Sequence, residues 1–106
     1  MIAKLPKEYV AFANSTDVLW GETDYDFGGY FDLEPLENIE QMNKDIEIEK
    51  YAPGFVAFAS DGGGEVFAFD KEGQIFLLPL IGMEPSTATK VASTWKEFKS
   101  HIVKNA

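Results

Sequence analysis

The stretch FVAFASDGGGEVFAFDKEGQIFLLPL, residues 55–80, constrains this chain more than any other part of it. Three apolar runs follow one another with only turn-length gaps between them. FVAFAS is a compact run of aromatic and β-branched residues. EVFAFD alternates, with Val66, Ala68 and Asp70 on one face and Phe67 and Phe69 on the other, and KEG then leads into QIFLLPL. Connections this short join neighbouring antiparallel strands, so the centre of the chain reads as a meander. The three glycines of the first gap raise the question of a phosphate loop. Such a loop needs a lysine and a helix N-terminus facing the anion. Here Asp61 and Glu65 bracket the glycines and a strand follows, so the gap reads as a hairpin turn.

The flanks read as helices. LPKEYVAFA places Leu5, Tyr9 and Phe12 at helical spacing, predicting a short helix from Pro6 to Ala13. NSTDVLWGETDYDFGG mixes turn formers, acids and aromatics, which suggests an exposed loop with a brief strand at Asp17 to Trp20. YFDLEP alternates as a strand. In LENIEQMNKDIEIEKY, Leu36, Ile39, Met42 and Ile46 line one helical face with acids on the other. GMEPSTATK reads as a loop. Val91, Trp95, Phe98 and Ile102 mark a closing helix, and Thr94 and Glu97 have capping-box spacing near its start. A chain of 106 residues supports one core. The expected fold is α+β: a single domain, residues 1–106, with an antiparallel-rich sheet, a meander of about three to five strands, covered by N-terminal, middle and C-terminal helices.

Charge separates the possible partners. Eighteen acids stand against nine lysines, giving a net charge of −9, and there is no arginine. Between Asp17 and Glu49 lie eleven acidic side chains opposed by Lys44 alone. That field repels nucleic acid and anionic membranes, whose binding needs a basic footprint, and it favours encounter with a basic protein. Acidity that serves only solubility is the competing explanation. The chain has no cysteine, which suits a reducing cytoplasm. MIAKLPKEY lacks a secretory apolar run, and no stretch is long and apolar enough to span a bilayer, so a soluble cytoplasmic protein is expected.

Little in the sequence points to catalysis. Without cysteine, thiolate zinc sites and cysteine nucleophiles are excluded, and with His101 as the only histidine, so are metal centres built from several imidazoles. None of Ser60, Ser86, Ser93 or Ser100 lies in a nucleophile elbow. DYDFGGYFDLEP places Asp24, Asp26 and Gly29 where a calcium loop would, but Gly28 replaces one ligand and Pro35 occupies the position of the bidentate glutamate. No enzyme activity, metal or cofactor is expected. A binding surface is the better candidate: Trp20 and Tyr25 interleave with Asp17, Glu22, Asp24 and Asp26, combining aromatic anchors with carboxylates that pair with a partner's lysine or arginine. Two readings of Trp20 stand, a partner-binding anchor or a core residue beneath the loop.

LPKEYVAFA, GGYFDLEPLENIEQMNKD, FVAFASDGGGEVFAFD and ASTWKEFKSHI, in that order, resemble the SUKH superfamily, which includes a fungal regulator of cell-wall synthesis and many bacterial immunity proteins. Tyr30 to Leu33, Leu36 and Asn43 match its strand, leucine-rich turn and asparagine-bearing helix. Phe55, Phe58, Ala59, Asp61, Gly62, Gly63 and Gly64 match its phenylalanine-rich strand and aspartate-glycine loop, and Ser93, Trp95 and Phe98 its closing helix. The family's asparagine-glycine-glycine turn after the first helix is replaced here by ANSTDVLWGE. The resemblance implies a binding fold without a catalytic centre, acting as an immunity protein that neutralises a basic toxin domain by direct contact, or as an intracellular adaptor. In the loop, Asp61 is expected to tie down the turn while Gly62, Gly63 and Gly64 allow backbone angles that other residues resist.

Overall fold

A computed structural model describes residues 4–17 and 19–105, with Tyr25, Lys104 and Asn105 described in their backbone alone. The elements run α1 (Lys7–Ser15), β1 (Trp20–Thr23), β2 (Tyr30–Leu33), α2 (Ile39–Asp45), α3 (Ile48–Tyr51), β3 (Val56–Ser60), β4 (Glu65–Phe69), β5 (Ile75–Pro79), β6 (Thr89–Ala92), α4 (Trp95–Ser100) and β7 (Ile102–Asn105). Short 3-10 turns cover Tyr25–Phe27, Leu36–Asn38 and Pro85–Thr87. The α+β expectation holds, but the expected three to five strands are too few. Among the described residues, seven strands form one antiparallel sheet in the order β6-β5-β4-β3-β2-β1-β7.

The shortfall has a physical cause. β1, β6 and β7 are four-residue strands with register irregularities at their pairings, and isolated segments of that length gain their hydrogen bonds only from distant partners. Thus β6 begins within the segment expected to be a loop, and β7 takes Ile102 out of the expected closing helix, which ends at Ser100. The brief strand expected over Asp17 to Trp20 instead begins at Trp20, and Val18 lies outside the described residues. The middle helix breaks in two at Glu47, whose φ of 55° is left-handed. The break lets Ile48 enter the core while Ile46 remains partly exposed.

Both faces of the central sheet are apolar and both are covered. Phe58, Phe67 and Phe69 pack with Tyr9 of α1 and Trp95 and Phe98 of α4. Ala57, Val66, Ala68 and Leu78, on the other side, pack with Ile48, Ala52 and Met83. The alternation in β4 is the one the sequence predicts. In β3 it is interrupted, because Ala57 pairs with Ala68 while Ala59 pairs with Phe67, leaving Phe58 as the extra residue of a bulge. The bulge allows the consecutive residues Phe58 and Ala59 to join the same cluster.

Asn43 secures that bulge. It is buried, its Nδ2 donates to Ala57 O at 2.9 Å and Ile39 O at 2.8 Å, and its Oδ1 accepts the Ala57 N–H at 2.8 Å. A primary amide offers both a donor and an acceptor, so the side chain satisfies both backbone groups of Ala57 as a neighbouring strand would. β2 pairs with β3 only at Asp32↔Ser60 and Leu33↔Ala59, and α2 then occupies the position beside Ala57. At the start of α4, Thr94 Oγ1 caps the helix by accepting the Glu97 N–H at 3.0 Å. Glu97 Oε1 returns a bond from the Ser93 N–H at 2.7 Å.

Asn43→Ala should lose about 3 kcal/mol of stability, because it orphans the buried N–H and C=O of Ala57. Asn38→Ala, at an exposed position of the preceding turn, should change it by less than about 0.5 kcal/mol. Urea unfolding followed by circular dichroism tests both; a near-silent Asn43→Ala would show that the amide is not a strand surrogate.

Tyr9 gives a second expectation. Its ring makes edge contacts with Phe58 and Trp95, with centroids 5.0 and 4.8 Å apart, and its hydroxyl finds no hydrogen-bond partner among the described residues. Burial holds its phenol well above the ordinary tyrosine range. The fold therefore keeps Tyr9 protonated where the unfolded chain ionises. This stability is fully present below about pH 10, the ordinary unfolded value, and is lost as the pH rises above it. Tyr9→Phe should be within about 1 kcal/mol of the parent at pH 8. Between pH 8 and pH 11 the difference should move in favour of Tyr9→Phe by up to about 1.4 kcal/mol, as read by paired urea titrations. An unchanged difference between the two pH values would refute a protonated, desolvated Tyr9.

Candidate functional site

The β1–β2 hairpin alternates. WGET turns Gly21 and Thr23 inward and leaves Trp20 and Glu22 exposed, while YFDL buries Phe31 and Leu33 and exposes Tyr30 and Asp32. The register Trp20↔Asp32 and Glu22↔Tyr30 sets the four outward residues opposite one another as two aromatic-carboxylate pairs. Trp20 is 48% exposed and Tyr30 38%, with ring centroids 6.3 Å apart and planes inclined at 41°.

A row of register partners runs from this pair across the sheet: Trp20, Asp32, Ser60, Val66 and Leu78. Directly paired residues point to one side of a sheet. Val66 and Leu78 lie buried in the cluster with Ile48 and Met83, whereas Trp20 and Asp32 are open to solvent. One sheet face is therefore covered over β4 and β5 and bare over β1 and β2. Among the described residues no lysine forms an ion pair with Asp32; Glu22 stands in register with Lys104 of β7. Next along the chain from Leu33, half-buried Glu34 borders a shallow groove of about 350 Å³, lined also by Met42, Asp45 and Ile46.

The turn of the hairpin is tightly fixed. Thr23 N–H donates to Gly29 O at 2.8 Å and Thr23 Oγ1 accepts the Gly29 N–H at 3.0 Å. Gly28 has a φ of 104°, and a Cβ there would stand 2.5 Å from Phe67 Cε1, so only glycine fits this approach to the core. Asp24 N–H donates to His101 O at 3.1 Å, and Asp24 Oδ2 lies 2.6 Å from His101 Nδ1. The imidazole stacks on Phe27 with centroids 3.7 Å apart. These contacts join the turn to the α4–β7 junction, 77 residues away in sequence.

The residues singled out in the sequence thus occupy three places. Trp20 and Glu22 share the bare sheet face, and Trp20 is an exposed residue, not one buried under a loop. Asp24 is engaged with His101, and Asp26 is exposed in the same turn. Asp17 is exposed between α1 and β1, and the Tyr25 side chain lies outside the described residues. The alternation of YFDL puts Tyr30 and Asp32 on one face of a strand, but only its pairing with WGET makes them part of this surface.

The glycine turn is built by Asp61, whose Oδ1 accepts the N–H groups of Gly63 at 2.8 Å and Glu65 at 3.0 Å. Gly62 and Gly64 take φ of 77° and 100°. Burial first, then the charge of Asp61 and a hydrogen bond with it, raise the Glu65 carboxyl above its usual range. Asp70 repeats the turn, accepting from Glu72 and Gln74 at 2.9 Å each. Among the described residues no three carboxylates or imidazoles gather to hold a metal ion, and no helix is long and apolar enough to cross a membrane.

No curated protein matches the chain. The elements from the Tyr9 helix through the aspartate-glycine turn to the Trp95 helix fall within the span covered by a family-wide sequence model. Such a model matches over residues 2–101, and the chain belongs to the SMI1 / KNR4 family (SUKH-1).

Proposed function

We propose that this chain is a protein-binding domain of the immunity type, neutralising a basic toxin by direct contact. The reading is supported above all by the bare, acidic and aromatic half of the sheet, where Trp20 and Tyr30 lie exposed between Glu22 and Asp32. A tryptophan and a tyrosine exposed side by side among carboxylates form the combination that anchors interfaces, where tryptophan and tyrosine are enriched among the residues that carry binding energy. Family membership is compatible with this role. No catalytic step is required of the chain. It binds the basic surface that the toxin uses for its own substrate, or docks beside it and blocks entry. Carboxylates arrayed across residues 17–49 speed encounter, and the aromatic pair sets the lifetime of the complex.

The test is capture from a lysate of the source cells at low salt, followed by assay of the captured protein. The expected result is a basic protein, released by salt, whose toxic activity is abolished by one equivalent of this chain. Capture of only a resident cellular assembly, with no activity inhibited, would instead support an adaptor of the same fold. With the partner in hand, Glu22→Lys combined with Asp26→Lys should slow association about tenfold at low salt and less than about threefold at high salt. Asp24 is left unchanged in that variant because it pairs with His101. Equal association rates for variant and parent at low salt would exclude an acidic docking surface.

A further inference from the structure

We propose that the bare half of the sheet face is an arginine-reading site, with the partner's guanidinium lying on the Trp20 ring and hydrogen-bonded to Asp32. The proposal rests on the reading of this face as the docking surface for a basic protein, and specifies which basic side chain it selects.

Geometry makes the distinction between the two cations. Trp20 and Tyr30 are inclined at 41° with centroids 6.3 Å apart, so they do not form two parallel walls around a compact ammonium ion. They present a half-exposed indole with a phenol ring inclined beside it. A planar guanidinium stacks on such a ring and still directs its N–H groups sideways, whereas an ammonium ion is more strongly hydrated and makes point contacts. Asp32 is the direct cross-strand partner of Trp20, at a separation of about 5 Å between side-chain roots in an antiparallel pair. A group resting on the indole is therefore within reach of the carboxylate, which can accept two parallel N–H bonds.

The neighbours favour the same occupant. Asp32 is flanked in register by Trp20 and Ser60, and among the described residues it has no ion-pair partner, so its acceptor capacity is available. Glu22 stands in register between Tyr30 and Lys104, so Asp32 and not Glu22 is the carboxylate without a cationic neighbour in register. Glu34 and Asp45 border the adjoining groove beside the apolar Met42 and Ile46, a surface suited to the rest of a basic segment. The chain itself contains no arginine, so none of its own side chains can act as this guanidinium in a second copy. The occupant is a basic segment of a different protein.

Trp95 is only 2% exposed, so a change of tryptophan emission on titration reports on Trp20. The experiment titrates the intact chain into two fluorescently labelled peptides of equal length and charge, one carrying four arginines and the other four lysines, at low salt, with peptide anisotropy reading the binding of every variant and tryptophan emission read on the variants that keep Trp20. The parent should bind the arginine peptide at least about fivefold more tightly, with a shift of emission. Trp20→Leu, which keeps apolar bulk but removes the ring, and Asp32→Asn should each remove most of that preference. Ile81→Ser, at a remote exposed apolar position, should leave it intact. Thermal melts establish that each variant is folded. Equal binding of both peptides, unaffected by Trp20→Leu or Asp32→Asn, would overturn the arginine site while leaving the basic-partner reading in place. Binding of neither peptide would overturn both.

Discussion

The amide of Asn43 is the constraint on which the sheet depends. An interior strand must have its backbone groups paired on both sides, yet β2 pairs with β3 at only two positions. Beside Ala57 the missing strand is replaced by one side chain, which donates and accepts at 2.9 and 2.8 Å. The consequence reaches beyond one residue. Because α2 sits at this position, it contributes Ile39 to one cluster and Met42 to the other, with Ile46 just past its end joining Met42, linking the two halves of the core. The bulge at Phe58 then directs two successive residues into the aromatic cluster, where Phe58 contacts Tyr9, Phe67, Phe69 and Trp95.

The same arrangement determines where the sheet remains bare. Helix α3 and Met83 cover the face over β3, β4 and β5, and the β1–β2 hairpin extends past that cover. Its inner side is still required, since Phe31 and Leu33 belong to the aromatic core. Its outer side makes no comparable contribution to packing. Trp20, Glu22, Tyr30 and Asp32 are therefore available for recognition, held in place by a hairpin whose turn is fixed to Phe67 and His101. The rigid inner side positions the outer side, which lowers the entropy lost on binding.

The parts of the molecule set by local pattern are legible in the sequence. The β3–β5 meander, the division of Phe67 and Phe69 from Val66 and Ala68, the Thr94 cap and the Tyr9 helix follow from alternation, spacing or capping chemistry within a few residues. What was not legible depends on long-range pairing. β6 and β7 are strands because β5 and β1 accept them, and nothing in TKVA or IVKN alone distinguishes them from loop or helix end. Trp20 illustrates the same limit in the candidate site. Whether it is core or surface depends on the register of β1, since a shift of one residue would exchange Trp20 with Gly21. The Asp24–His101 contact spans 77 residues and leaves no local signal.

Charge imposes a last constraint, acting in opposite directions on folding and on recognition. Concentrating eleven carboxylates between Asp17 and Glu49 brings like charges together when the chain folds, a cost that salt reduces. The same field attracts a basic partner, and salt reduces that gain as well. The chain tolerates this arrangement because its stability rests elsewhere, on the apolar contacts of the aromatic cluster and on the buried amide of Asn43, neither of which depends on screening of surface charge. Association draws on the exposed carboxylates, and folding draws on groups withdrawn from water. That division permits the acidic segment to be shaped by a partner without loss of the fold, and it explains why the residues most characteristic of the fold are not those through which binding is proposed.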